Sequence, residues 1–454
     1  MNRRFVISTR AALALALFHP LVLSAQEQPV APSGELRPIT LDEAIELAQQ
    51  NAPSAVAARG QIRTTASAVR SAWGSLLPSL SLSAGQNKDL GPGVTRVDPT
   101  RGDEYTVRPV WRYSTGFSAN MNLFDGGRRW SEVARAKADV GTAEANEITQ
   151  RYSIALQVKT QYYNVLAARE SEAAARSRLE QAEQQLKVAS ARVAAGVATL
   201  SDSLRSVIQV GDARLALLTA QNAVRVASAS LTRLVGTSFL VTANPSDTLQ
   251  QITPLPDSAA LAAWASDGPA VRSAEAAARG ATAARRTARA SYFPTVSLTF
   301  QRSGGGSGNP YGIGRGLSAD PIWAATSSLR LNFNYALFDN FSREDAQVRA
   351  AVSFENSQAQ LRDARLLAQQ NVVQQLGSLQ TAEQRILIQQ ASVAAAQEDL
   401  RVMQQRYALG ASTLLDLLTS QTNLNASRQA LIEARRDYRI ARAQLETVIG
   451  RDLP

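Results

Sequence analysis

The stretch Tyr113-Ser114-Thr115-Gly116-Phe117-Ser118-Ala119-Asn120-Met121-Asn122-Leu123-Phe124 sets Tyr113, Thr115, Phe117, Ala119, Met121 and Leu123 against Ser114, Gly116, Ser118, Asn120 and Asn122. Side chains of an extended chain point alternately to opposite faces, so this pattern predicts a long β-strand with one apolar and one polar face. Ser327 to Leu337 repeats it, with Leu329, Leu331, Phe333, Tyr335 and Leu337 against Ser328, Arg330, Asn332 and Asn334. Shorter alternating runs, Ser79 to Ala84 and Thr295 to Gln301, come before each of these across a loop of about 25 residues.

One face suits lipid and the other suits water. A soluble sandwich also alternates, but strands of roughly 9 to 13 residues with aromatics near their ends match tilted bilayer-spanning strands. Trp111, Tyr113 and Trp323 mark the loop end, and Phe124, Phe338, Tyr292 and Phe293 the other end. No stretch reaches the roughly 18 to 20 apolar residues that a spanning helix needs, so the membrane part is expected to be a barrel. Four strands per chain leave two open edges, which lipid cannot solvate, and copies of the chain must close them. Two copies make eight strands, largely filled by side chains; three make twelve and leave an aqueous lumen. Asn120, Asn122, Arg330, Asn332 and Asn334 are then expected to line it.

The chain is one unit written twice. Leu77 to Leu82 corresponds to Phe293 to Leu298, Asn122-Leu123-Phe124-Asp125 to Ala336-Leu337-Phe338-Asp339, and Gly196 to Asp202 to Gly410 to Asp416. The expected division is a first repeat over 26–236, a proline-containing linker over 237–256 and a second repeat over 257–454. Each repeat opens with helices, the first capped by Thr40 with Glu43 three residues on. Each continues past its strands into helices from Gly127 to Ala195 and from Phe341 to Leu409, long enough to reach on the order of 100 Å. A glycine follows, and then a returning helix. Leu417, Leu424, Leu431, Tyr438 and Leu445 form a seven-residue row beside Ser427, Ala434, Ala441 and Val448. Val210, Leu217, Val224 and Leu231, beside Ala213, Ala220, Ala227 and Leu234, do the same in the first repeat. Heptads with a row of small residues predict closely packed, supercoiled antiparallel helices.

Residues 1–25 read as a secretory signal, with Arg3, Arg4 and Arg10 ahead of the apolar Ala11 to Leu17 and cleavage after Leu23-Ser24-Ala25. The Arg-Arg pair fits a twin-arginine signal only loosely. The chain has no cysteine, and its only histidine, His19, lies in the signal. That removes Ser-His-Asp and Cys-His nucleophilic sites and ordinary zinc sites, and no metal or cofactor is expected. Carboxylate chemistry needs two acids converging on a cleft, and no pair stands out. The net charge of +10 includes three arginines of the signal. The remaining arginines are interleaved with Glu and Asp along helical stretches, a pattern of solvated faces rather than of nucleic-acid binding. The spacing in Gly312-Ile313-Gly314-Arg315-Gly316 lies between antiparallel strands with no helix after it, so Gly304 to Gly316 reads as an extracellular loop rather than a nucleotide fingerprint.

These motifs carry a family resemblance. The duplicated Leu-Phe-Asp, together with Arg406-Tyr407-Ala408-Leu409-Gly410-Ala411-Ser412-Thr413-Leu414-Leu415-Asp416 and Gln421 and Asn423 behind it, resembles the TolC-like outer-membrane efflux proteins along nearly the whole mature length. The resemblance implies an α+β membrane protein: a homotrimer with a twelve-stranded outer-membrane barrel continued by a periplasmic coiled-coil tunnel of twelve helices. It implies a passive exit duct of a tripartite efflux or type I secretion system, partnered by a membrane-fusion adaptor and, through it, an inner-membrane pump. The adaptor-facing tips map to Gly196, Val197, Ala198 and Thr199 and to Gly410, Ala411, Ser412 and Thr413. The periplasmic gate maps to polar links through Ser201, Asp202 and Tyr407 and to an acidic ring of Asp416. Ser412 and Thr419 depart from the family pattern, where a basic partner and a second acid can stand. The alternative is a periplasmic coiled-coil or adhesin-like protein without transport, in which lipid-facing strands would have no use.

Overall fold

The computed structural model describes residues 36–88, 90–92, 94–97, 102, 104–107, 111–249, 257–307 and 324–453. The signal read over residues 1–25, Trp323, Pro254, Pro256 and residues 308–316 lie outside them. The first repeat contains β1 (Arg37–Ile39), α1 (Leu41–Asn51), α2 (Pro53–Gly74), β2 (Ser79–Asn87), β3 (Val94–Val97), β4 (Glu104–Val107), β5 (Arg112–Phe124), α3 (Arg128–Ala194) and α4 (Leu200–Val235). After β6 (Val241–Ala243) and a 3-10 turn at Pro245–Leu249 come α5 (Ser258–Ser266), α6 (Pro269–Ala290), β7 (Thr295–Ser307), β8 (Ala324–Asn334), α7 (Ser342–Ala408) and α8 (Leu414–Ile449).

The four long strands make one antiparallel sheet in the order β2-β5-β7-β8. Its register carries the alternation of each strand across the whole sheet. Leu80, Ala119, Phe300 and Leu329 lie in one row, Met121, Leu298 and Leu331 in the next, and Phe124, Val296 and Phe333 in a third. The opposite face carries Ser81, Ser118, Gln301 and Ser328, then Ser79, Asn120, Thr299 and Arg330, then Asn122, Ser297 and Asn332. The apolar rows lie open, Leu82 being 83% exposed and Phe333 69%. Strands of 9 to 13 residues bearing such rows have the length and face of bilayer-spanning strands.

The strands differ in extent from the sequence expectation. β7 pairs with β5 as far as Ser307, so Gly304, Gly305 and Gly306 belong to the sheet and not to a loop. β8 ends at Asn334 because its partner Thr295 is the first residue of β7, which leaves Tyr335 and Leu337 beyond the ladder. The first-repeat loop holds the β3–β4 hairpin, whose strands of four residues are too short to show a period. Within 237–256, β6 pairs in parallel with β1, and Val241, Thr242 and Ala243 are buried. The Tyr162 hydroxyl donates toward the Ile39 carbonyl and Asp247 and accepts from the Asn244 amide, tying these segments to the middle of α3.

The duplicated Leu-Phe-Asp proves to be a corner. In the first repeat the Asp125 carboxylate accepts from the Gly127 and Arg129 amides and from Arg129 Nε at 2.7 Å. The Arg129 guanidinium reaches on to the Asn122 carbonyl at 2.6 Å and the Ser75 carbonyl at 3.2 Å. Strand end, helix start and the end of α2 are thus held by one buried ion pair. Asp339 and Arg343, their counterparts in the second repeat, form the same pair in a more open setting. Gly126 and Gly127 take left-handed backbone at the first corner, and Asn340 and Phe341 take it at the second without glycine's freedom.

Helices α3 and α7 have 67 residues each, on the order of 100 Å, and α4 and α8 have 36 each. Leu417, Leu424, Tyr438 and Leu445 form a buried seam, as do Val210, Val224 and Leu231. Two larger cores lie where helices stack: one around Tyr162, Leu166, Leu231 and Val241, the other around Leu261, Leu379, Leu445 and Ile449. Contacts run α2–α3–α6–α7 near the strands and α4–α3–α8–α7 toward the far ends, the same circular sense as the sheet. One side of the chain therefore presents β2, α2 and α4, and the other presents β8 and α7.

Removing one partner of a buried ion pair strands the other charge and costs about 3–5 kcal/mol. Arg129→Ala is expected to lower stability by that much, and Arg343→Ala, whose side chain is less buried, by clearly less. Urea unfolding of the detergent-solubilised protein checks this; equal losses would show that the two corners do not differ as described.

Candidate functional site: the helical tips and the polar strand face

The two tips are near copies, and their geometry follows from local sequence. Each long helix stops at a glycine in left-handed backbone, Gly196 at φ +74° and Gly410 at φ +73°. The chain turns through Val197 and Ala198, or through Ala411 and Ser412, and restarts at Thr199 or Thr413 as N-cap. Each threonine hydroxyl accepts the amide three residues on, and the carboxylate there, Asp202 or Asp416, accepts the threonine's own amide and hydroxyl. These reciprocal bonds satisfy the amides that a helix start leaves open. The capping motif read at the front of the chain is less complete: the Thr40 hydroxyl accepts the Glu43 amide.

At Asp416 both Thr413 bonds fall on Oδ2, and first the hydroxyl bond, then the amide bond, hold the carboxyl below its ordinary range. Asp416 is exposed, so it is both a cap and an anion presented to water. Val197, Leu200, Leu409 and Leu415 are exposed around the tips, and space is open beyond both glycines. Ser201 is exposed beside Asp202, and the Ser412 hydroxyl donates to the Met403 carbonyl at 3.5 Å.

The residues assigned to the gate are not joined to one another within the chain. Asp202 is engaged by Thr199, and Asp416 by Thr413. Tyr407 is buried among Leu400, Leu414, Leu417 and Leu424, and its cross-hairpin contact is Arg192 on α3. Sequence reasoning missed Arg192. The available signal was that it and Arg406 are the same position of the repeat, both cationic in the last turn before the tip.

The residues expected to line a lumen share one face of the sheet. In register, Asn120 pairs with Thr299 and Thr299 with Arg330, Asn122 with Ser297 and Ser297 with Asn332, and Thr295 with Asn334. The Thr299 hydroxyl donates to Asn120 Oδ1 at 3.2 Å, and Ser81 and Ser118 hydroxyls meet at 2.6 Å. Near mid-tunnel, Lys159 of the first repeat binds Glu446 of the second. Burial lowers the Lys159 pKa, but the Glu446 hydrogen bond and charge outweigh it and hold the ammonium above the usual lysine value. Among the described residues no group of His, Cys, Asp and Glu is placed to hold a metal ion, and no helix is long and apolar enough to cross a membrane.

A sheet with an apolar outer face and polar rows, hung on helices far longer than its strands, defines a membrane channel with a helical extension. The chain belongs to the outer membrane efflux protein family, whose model matches residues 44–237 and 264–451. It is 28% identical over 414 residues to Protein CyaE of Bordetella pertussis, covering 88% of this chain and 81% of that one. It is 25% identical over 401 residues to the pyoverdine export outer membrane protein OpmQ of Pseudomonas aeruginosa, covering 87% and 81%. The structure of the outer membrane protein VceC of Vibrio cholerae shares the fold, with a TM-score of 0.71 at 18% identity over 91% of this chain and 96% of that one. The protein is thus an outer-membrane efflux channel with its helices in the periplasm.

Because the Asp416 pKa is lowered on folding, its contribution to the tip is complete above the unfolded carboxyl value of about 3.9 and is lost as pH falls through the folded value. Amide protection at Thr413, whose N–H the carboxylate accepts, is expected to hold from neutral pH down to about 4 and to drop below it. Asp416→Ala is expected to lack that protection at every pH; hydrogen exchange that leaves the variant as protected as wild type would refute the cap.

Proposed function

We propose that three copies close the sheet of each chain into a twelve-stranded barrel and its helices into a tunnel, forming the exit duct of a tripartite efflux or type I secretion system. The observation that carries this reading is the pair of edges. β2, continued by α2 and α4, and β8, continued by α7, lie open on opposite sides of one chain. Strand edges cannot stay open in lipid, so the β8 side of one copy must meet the β2 side of the next, and three copies are the fewest that leave a lumen. The polar rows through Asn120, Asn122, Arg330, Asn332 and Asn334 then line the bore, and the apolar rows meet lipid.

The division into two repeats, 26–236 and 257–454, joined over 237–256, belongs to the same reading: each repeat supplies two strands and one helical hairpin. The tips, Gly196 to Thr199 and Gly410 to Thr413, receive a periplasmic adaptor that links the duct to an inner-membrane pump. Exposed Val197 and Leu409 beside glycines with open space suit the close approach of another helical hairpin. Ser201, Asp202, Tyr407 and Asp416 form the periplasmic gate. Three Asp416 carboxylates at a narrow mouth would attract cations, and their capping bonds leave Oδ1 and the charge available for that.

Single-channel recording in planar bilayers tests this. Wild type is expected to give discrete, small, cation-preferring steps. Asp416→Asn, which keeps an oxygen acceptor for Thr413, is expected to give steps without that preference. Protein that inserts but never conducts, alone or with its adaptor, would overturn the duct; steps with unchanged selectivity would remove Asp416 from the bore.

A further inference from the structure

We infer that Arg192 is the latch that holds the two tips of one chain together, and that it acts on the ring face and the backbone carbonyl of Tyr407 rather than on its hydroxyl. The inference rests on the gate reading above and names a residue which that reading leaves out.

Arg192 stands in the last turn of α3, and Tyr407 in the last turn of α7. The guanidinium lies over the Tyr407 ring at 4.7 Å from its centroid, and Nη1 donates to the Tyr407 carbonyl at 2.7 Å. That carbonyl also accepts the Gly410 amide that closes the tip turn. A cation here meets the negative end of α7's dipole, a charge-assisted hydrogen bond and an aromatic face at once. Each hairpin is otherwise braced from within, by its own left-handed glycine and its own capping box. Arg192 therefore joins two bodies that are each already rigid, and its loss frees one from the other without unfolding either.

The repeat shows why the other junction differs. The second-repeat equivalent of Arg192 is Arg406, and the first-repeat equivalent of Tyr407 is Val193. In a closed ring Arg406 faces the first-repeat tip of the next copy, where the aromatic face is replaced by valine. Within its own chain Arg406 donates to the Ala411 carbonyl at 3.5 Å, in its own tip. A ring of six tips thus has stacked junctions within chains and unstacked ones between them, so the closed mouth relies on the within-chain junctions and opening must part them.

Four proteins recorded in planar bilayers, each first shown to insert as trimers of wild-type thermal stability, test the latch: wild type, Arg192→Ala, Arg192→Lys and Tyr407→Phe. Arg192→Ala is expected to raise the open-state population on the order of tenfold, the scale set by one cation–π contact and one charged hydrogen bond. Arg192→Lys, which keeps the charge but not the planar stack, is expected to fall between, and Tyr407→Phe, which removes the hydroxyl but keeps the ring face and the carbonyl, to open less than Arg192→Ala. Intact trimers of Arg192→Ala that conduct like wild type would overturn the latch while leaving the duct standing. Tyr407→Phe as open as Arg192→Ala would also overturn it, because the hydroxyl would then be the link. Failure of wild type and Arg192→Ala alike to conduct would bring down the duct reading and the latch together.

Discussion

The structure depends on the backbone hydrogen bonds at the edges of a four-stranded sheet. In water an open edge is tolerable; in hydrocarbon each unpaired amide or carbonyl costs several kcal/mol, and β2 and β8 each present a row of them. That cost makes the chain incomplete as a single copy and sets the direction in which copies join. The helices inherit the constraint. Because α2 and α7 continue from the same two sides as β2 and β8, whatever closes the sheet also aligns the helical walls below it.

Between sheet and helices the load passes through the Asp125–Arg129 and Asp339–Arg343 corners. The chain passes from β5 to α3 through residues 125–127 and from β8 to α7 through residues 335–341, and both corners turn on two consecutive positive-φ residues just before the helix. The first corner uses glycines, and a Cβ at Gly126 would come within 2.7 Å of the Ala290 carbonyl, so space as well as backbone demands glycine there. The second holds Asn340 and Phe341 in the same conformation, with the Phe341 ring edge-on to Phe338 and Arg343 stacked over Tyr292 and Tyr335. Aromatic packing takes the place of conformational freedom.

Most of the architecture was legible because it is written in periods. Alternation from Tyr113 to Phe124 survives into a register that aligns whole rows, and the heptad from Leu417 to Leu445 survives as a buried seam. What was not legible has no period: β6 is three residues long and takes its shape from β1, distant in sequence, while β3 and β4 are four each and pair only with each other. The helix-helix turns fall at Gly196 and Gly410, and the caps explain why Asp202 and Asp416 follow their threonines by three. The pairing of Arg192 with Tyr407 lay beyond reach, since it joins distant parts of the chain through a carbonyl, and a carbonyl leaves no mark in a sequence.

The equal lengths of the paired helices, 67 with 67 and 36 with 36, limit how such a chain can change. Inserting one residue into α3 alone would turn everything beyond it by about 100° and lower its tip by about 1.5 Å. The seam would lose its partner and one tip would stand out of level with the other. Tolerated insertions or deletions should therefore come in whole heptads, matched between ascending and returning helices and between both repeats. The hairpins act as a gauge that keeps the two tips of the chain level, and changes in its length are expected to fall in the loops beyond its strands.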